Sequence, residues 1–361
     1  MRAQNQGGAA ARAAREARLD ELREQLNLQV EKLVTGEDWK RALAFAAKFR
    51  SRSVSNSWLI LAQHQAAWEA GRVPDPVPTY VAGFRQWQHL GRSVLQGQNG
   101  YAILAPVTGR VASRTPADPQ SWRRLRPKER PKVGEVVRSR MIGARVAHVF
   151  DISQTSGAEV PVPPSPQLLK GEAPGGLREG LIRQIEDLGF TFLPVAHEGM
   201  MNGANGQTNF ETHQVAVRTN MDAAAQVKTI THELAHVRMH GPTQPEARQH
   251  RGIGEVEAES VALMVGAAHG MDTTEYTIPY VSGWAVATDG AQPLQVVQAT
   301  GERVRKIALE ILEALDTVQI GDGTPPGVSR EPAGRVQSQR KLGQKAQSLE
   351  RPQQLAPARA L

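Results

Sequence analysis

Five residues constrain this chain more than any others: His232, Glu233, Leu234, Ala235 and His236, an H-E-x-x-H motif. On an α-helix, positions i and i+4 share a face, so both imidazoles can reach one metal ion. The glutamate after the first histidine is then placed to act on metal-bound water as general base. The flanks suit such a helix. Ile230, Leu234, Val237 and Met239 are apolar at roughly helical spacing, no proline interrupts residues 226–240, and Gly241-Pro242 stops the run. The bland alternative is an amphipathic helix with two partly exposed histidines. A third ligand decides between the two.

After a loop, Gly254-Glu255-Val256-Glu257-Ala258-Glu259 opens a second helix that is almost wholly apolar from Val261 to Ala268. Carboxylates at a helix start also complement its dipole. Glu257, however, shares a stripe with Val261, Met264 and Val265, the side expected to face the core and the histidine helix. It is therefore the expected third ligand, with Glu259 second. Glu255 and Glu259 share a different side, and the acids left over are expected to orient the histidines through their free ring nitrogens. The expected centre is one Zn2+ on His232, His236 and Glu257 with Glu233 as catalytic base. That is the pattern of a gluzincin-type peptidase, with a protein as possible substrate.

The chain has no cysteine, which excludes disulfides and thiolate metal sites and suits a reducing compartment. Met1 to Gly8 lacks the apolar stretch of a signal peptide, and no apolar run reaches the roughly 18 residues of a membrane span. A cytoplasmic protein with no membrane partner is expected. The net charge of +7 conceals an asymmetry: residues 1–150 hold 25 Lys/Arg against 12 Asp/Glu, whereas residues 151–316 hold 11 against 21. A basic body suits a polyanion and an acidic one a metal.

Along the chain, residues 1–35 read as a charged leader helix with only a thin leucine stripe. Helices follow at 38–49, where Trp39, Leu43, Ala46 and Phe49 share a face, and at 58–68 after a Ser/Asn cap. Residues 79–92 interleave aromatic rings with arginine. Stacking rings and phosphate-tracking cations suit single-stranded nucleic acid, with Tyr80, Phe84, Arg85, Trp87, Arg92, Arg123, Arg124, Arg126 and Lys128 as candidate contacts. Trp87 and Phe84 could instead be core. Strands are expected at 101–105 and 144–152, enclosing a very basic, proline-containing loop at 108–140. A Pro/Gly linker at 157–175 leads to helix 177–188, strand 190–193, a turn at 201–209 and strand 213–218. In such peptidases the strand before the metal helix holds extended substrate by edge pairing. A last helix spans 294–315, and 317–361 reads as a disordered basic tail.

Several stretches together resemble a known family. Ala42 to Phe49, Ser53-Val-Ser-Asn56, Val81-Ala-Gly-Phe-Arg-Gln-Trp87, Leu90-Gly91 and Ala102-Ile-Leu-Ala-Pro106 resemble the N-terminal domain of ArdC-type antirestriction proteins. Val149-Phe-Asp151 is similar to its closing strand. Thr231 to His236, Glu255 to Ser260, Pro279-Tyr280 and Gly283-Trp-Ala285 resemble the metallopeptidase domain joined to it, itself similar to ImmA/IrrE-like peptidases. The resemblance implies an α+β chain of two domains. A single-stranded-DNA-binding domain at 36–156 would precede a zincin-like domain at 176–316, on a protein carried by mobile elements that protects DNA from restriction. The alternative it implies is a regulatory zinc protease that cleaves a repressor or host protein, its basic domain serving only to target it to DNA.

Overall fold

The computed structural model describes residues 2–33, 35–161, 171–201, 203–241, 251–274, 276 and 293–328. The fold is α+β. Helices α1 (Arg2–Glu31), α2 (Gly36–Lys48) and α3 (Val54–Glu69) come first. They are followed by β1 (Val81–Gly83), α4 (Phe84–His89), β2 (Arg92–Val94), β3 (Tyr101–Ser113), β4 (Arg123–Arg124), β5 (Val136–Asp151) and β6 (Thr155–Gly157). The later part comprises α5 (Leu177–Asp187), β7 (Thr191–Val195), β8 (Gly206–Asn209), β9 (Gln214–Arg218), α6 (Ala223–Met239), α7 (Arg251–Ala268) and α8 (Pro293–Glu313).

The helix starts are set by side-chain caps. Thr35 and Asp38 form a reciprocal capping box at α2, Ser53 accepts from Asn56 N at α3, and Asp222 accepts from Ala225 N at 2.7 Å to start α6. The apolar face of α2 is buried as expected, with Trp39, Leu43 and Phe49 almost fully enclosed. One hydrophobic cluster joins it to Leu181 and Ile185 of α5, Ile230 and Leu234 of α6, Leu263 of α7 and Ile311 of α8. Inside this cluster the Trp39 indole donates to Ser260 Oγ at 2.9 Å. The N-terminal helices and the metal-motif helices therefore share one core. The thin stripe of α1 is part of it too: Leu22, Leu26 and Val30 are buried at i, i+4 and i+8.

The chain divides into two compact units, one of residues 1–105 with 145–329 and a second of 106–144 with 330–361. Of the expected linker at 157–175, residues 162–170 lie outside the described residues. The strand order is β1-β5-β3-β4 in one sheet, β2-β6 in a second and β7-β9-β8 in a third. In the third sheet β7 runs parallel to β9 and β8 antiparallel to it, so β9 is central and β8 is an edge.

Three expectations change. The basic stretch 108–140 is not a plain loop: β3 runs on to Ser113, β5 starts at Val136, and β4 pairs with β3 in the register Val111↔Arg124. The expected turn at 201–209 ends in β8. Residues 317–328, expected to be disordered, are tied into the first unit: Ile320 N donates to Ala268 O at 2.8 Å and Val81 N to Gly323 O at 2.9 Å. Residues 329–361, and the motifs Pro279-Tyr280 and Gly283-Trp-Ala285, lie outside the described residues. No described helix is long and apolar enough to cross a membrane.

Candidate metal centre

The motif lies on α6, and its two histidines converge. His232 Nε2 and His236 Nε2 are 3.0 Å apart. A Glu255 carboxylate oxygen lies 3.3 Å from the first and another 3.6 Å from the second. One donor atom from each of these residues falls within 4.8 Å of the others. Glu257, the expected ligand, is elsewhere. Its stripe is buried as predicted, but its carboxylate accepts from His240 Nε2 at 3.1 Å and from Arg303 Nε of α8 at 2.7 Å. The face carrying Glu255 and Glu259, one helical turn apart on α7, meets His232 instead.

Hydrogen bonding fixes which ring atoms are free. A carboxylate only accepts, so His240 Nε2 donates to Glu257. In the neutral ring His240 Nδ1 is then an acceptor, and it takes the proton of His236 Nδ1 at 2.9 Å. His236 Nε2 is left as a lone pair. On the other ring, Nδ1 of His232 faces Glu259 Oε2 at 3.3 Å, which likewise leaves its Nε2 as the acceptor of the neutral form. Two lone pairs and a carboxylate directed at one point repel unless a cation or a proton lies among them. The donor set fits a metal.

With no metal, the proton serves. Burial depresses the His232 pKa, but the Glu255 and Glu259 carboxylates outweigh it and push the value up to about 9. The same contacts hold Glu255 well below the usual carboxylate range, the His232 and His236 rings being the main cause. Glu259 is also lowered: burial opposes this, yet His232 and Lys228, the latter at 2.7 Å, prevail.

Glu233 is buried and is not one of the three converging donors. Thr208 Oγ1 donates to its Oε2 at 2.6 Å. Gly206, two residues away on the same face of β8, lets Oε1 approach the strand: a Cβ there would lie 2.7 Å from that oxygen. The strand against Glu233 is therefore the edge strand β8. β9, expected to pair with substrate, has both sides occupied. Thr208, Gly206, His240 and Arg303 went unnoticed in the sequence. Only His240 carried a signal, as the third histidine in an i, i+4, i+8 row.

The candidate DNA contacts fall into two groups. Tyr80 and Trp87 are buried, their polar tips donating to Pro161 O and Phe150 O at 2.9 Å each. They are core, not stacking platforms. Arg92 is committed to Thr155 and Gly157 on β6 and to Ala158 just after it, and Arg123 to Glu129 and Glu135. Phe84, Arg85, Arg124, Arg126 and Lys128 remain exposed.

Residues 13–150 match the family described as the N-terminal domain of anti-restriction factor ArdC. This part of the chain resembles an ArdC-type domain. An uncharacterized protein of Bacillus anthracis is 24% identical over 301 residues, covering 78% of this chain and 48% of its own length, so the chain spans about half of that relative. Two crystal structures of the antirestriction protein ArdC of plasmid R388 are distant likenesses at 16% identity. The metal-free one has a TM-score of 0.41, covering 73% of this chain and 85% of its own. The Mn(II)-bound one has a TM-score of 0.38, covering 72% and 88%.

Within the ArdC-type domain, two side-chain amides of α3 act as a surrogate strand beside β3. Asn56 donates to Leu104 O at 3.0 Å and accepts from Leu104 N at 2.9 Å. Gln63 does the same for Ala102, at 2.9 and 2.8 Å. Both motif stretches, Ser53–Asn56 and Ala102–Pro106, thus meet in one contact that satisfies backbone groups a sheet would otherwise leave open.

Proposed function

We propose that this chain is a single-stranded-DNA-binding metalloprotein of the antirestriction class, of the kind carried on mobile elements. Its ArdC-type domain is joined to a metallopeptidase-type centre. The observation that carries the second half is the convergence of His232, His236 and Glu255 donor atoms within 4.8 Å, beside a buried Glu233 that is not among them. Two imidazoles and one carboxylate suit Zn2+, with a fourth position left for water. Bound there, the metal supplies an activated water and polarises a carbonyl. Glu233 takes the water proton on Oε1, the oxygen that Thr208 leaves free. Phe84 and Arg85 offer an exposed ring and cation to a single strand.

The outer edge of β8, unpaired among the described residues, suits an extended peptide added by strand pairing beside Glu233. It favours a second reading, a regulatory protease acting on a repressor or host protein.

Glu233→Gln separates the two. It keeps shape and removes basicity, so metal content and DNA binding should persist while any peptide cleavage falls by roughly 1,000-fold. We expect protection of DNA from restriction to survive, because covering a strand needs no turnover. Loss of protection, together with a protein that accumulates uncut, supports the protease. Absence of single-strand binding at low salt, read by oligonucleotide anisotropy, removes the DNA-binding half.

A further inference from the structure

The 106–144 unit carries ten Lys/Arg against three Asp/Glu. Its acids do little to neutralise its surface. Arg123 binds Glu135 in a two-pronged pair, Nε and a terminal nitrogen each at 2.8 Å, and also pairs with Glu129. The Glu135 side chain is only 6% exposed, so this carboxylate is turned inward. Hydrogen bonds from Arg123 and from Lys132 N hold its pKa down to about 2, so it stays charged and paired. Around this knot, Arg124, Arg126, Lys128, Arg130 and Lys132 are exposed; Arg126 and Lys132 act on Glu129 and Glu135 through space, and among the described residues none of the five closes a side-chain ion pair. Backbone bonds from Arg126 N to Glu129 and from Lys132 N to Glu135, both acceptors being carboxylates, brace the loop that carries them. Pro127 and Pro131 stiffen it further.

This surface lacks what a single strand needs. Bases of single strands are held by stacking on open rings. The unit has one aromatic residue, Trp122, and its ring is covered: the guanidinium carbons of Arg138 and Arg140 lie 5.1 and 4.6 Å from its centroid. What remains is a cationic surface on β4 and on the loop from it to β5, able to meet phosphates but not to stack on bases. A duplex presents the denser charge, one phosphate per about 1.7 Å of axis.

We propose that the 106–144 unit binds duplex DNA through its phosphates, by its five exposed loop cations and without base stacking. This is a second nucleic-acid contact, distinct from the Phe84 and Arg85 surface proposed for a single strand and independent of the candidate metal centre.

The test uses the full chain with Arg124→Gln, Arg126→Gln, Arg130→Gln and Lys132→Gln combined. Lys128 is left unchanged because its backbone is left-handed, at φ 64°. All four side chains are exposed, so circular dichroism and metal content should match the parent. Anisotropy is measured with a labelled random-sequence 24-base-pair duplex and with one of its strands, across a salt series. Duplex affinity of the variant should fall by at least ~100-fold near 0.1 M salt, and the salt slope of the duplex should fall by about 3 to 4. Single-strand affinity should change by less than about 3-fold. No duplex binding by the parent, an unchanged duplex affinity in the variant, or an equal loss for both strands overturns the proposal. So does equal, variant-sensitive binding to vesicles of anionic phospholipid. Failure of the single-strand reading is a different outcome: the parent then binds duplex and not the lone strand.

Discussion

The metal centre and the 106–144 unit both concentrate charge, and they treat their carboxylates in opposite ways. On α6 and α7 the acids converge on imidazoles: Glu255 and Glu259 face His232, and Glu257 reaches His236 through His240. In the 106–144 unit Glu129 and Glu135 converge on one arginine, Arg123, and the loop cations around it are exposed. The first arrangement is largely buried, Glu255 excepted, so most of its groups are desolvated and must have their partners in place. The second is exposed, screened by salt, and roughly additive. Single substitutions should therefore break the metal centre, whereas the 106–144 unit needs several before a binding assay registers the loss.

The largest effect expected at the metal centre follows from His232→Ala or His236→Ala. A three-donor site that loses an imidazole should lose stoichiometric metal altogether, as read by elemental analysis after dialysis. Glu255→Gln should come next and Glu257→Gln after it. If Glu255→Gln retains metal and Glu257→Gln does not, the buried stripe supplies the ligand after all, and the comparison of faces on α7 collapses.

That ordering marks where the sequence stops being legible. The H-E-x-x-H helix and the amphipathic face of α2 could both be read from spacing, because each is a local property of one segment. The buried stripe through Glu257 and Val261 was also read correctly. Burial, however, is not ligation. Arg303 lies 46 residues further on and takes one Glu257 oxygen, a pairing no local pattern announces. The aromatics of 79–92 divide for the same reason. Trp87 faces inward and donates to Phe150 O, while Phe84, one turn back, is 49% exposed. In the 106–144 unit, dense arginine and proline hid the period-two alternation of β3 and β5, so strands looked like loop.

A smaller effect should follow from His240→Gln. His240 is not one of the converging donors; it fixes the proton of His236 on Nδ1 and so leaves Nε2 as the donor. Losing such an outer partner weakens metal affinity by roughly 10- to 100-fold. A competition titration with a chelating dye measures it. The fold should be kept, and His240→Asn should not be better than His240→Gln unless shape alone matters. An unchanged affinity would mean that the His236 tautomer is set by the metal and not by the chain of donors.

The smallest expected effect is a pH dependence of the metal-free protein. His232 has a folded pKa of about 9 against an ordinary 6.5, raised by Glu255 and Glu259 against the opposing effect of burial. A raised pKa contributes stability that is complete below the unfolded value and is lost as pH rises through the folded one. This contribution should thus be present at pH 6 and fade between about 6.5 and 9. Glu255 and Glu259 have the opposite sign: their folded values are lowered, so their contribution is present above the ordinary 4.5 and is lost as pH falls below it. From this cluster alone, the chelator-treated protein should be most stable between roughly pH 4.5 and 6.5, with a midpoint of thermal unfolding a few degrees lower at pH 9. His232→Gln should flatten the alkaline side of that profile. Metal should reverse the trend, because binding displaces the same proton and so strengthens as pH rises. A metal-free profile flat from pH 6 to 9 would show that the carboxylates around His232 do not act on its proton. The contrast with the exposed 106–144 unit would then lose its electrostatic basis.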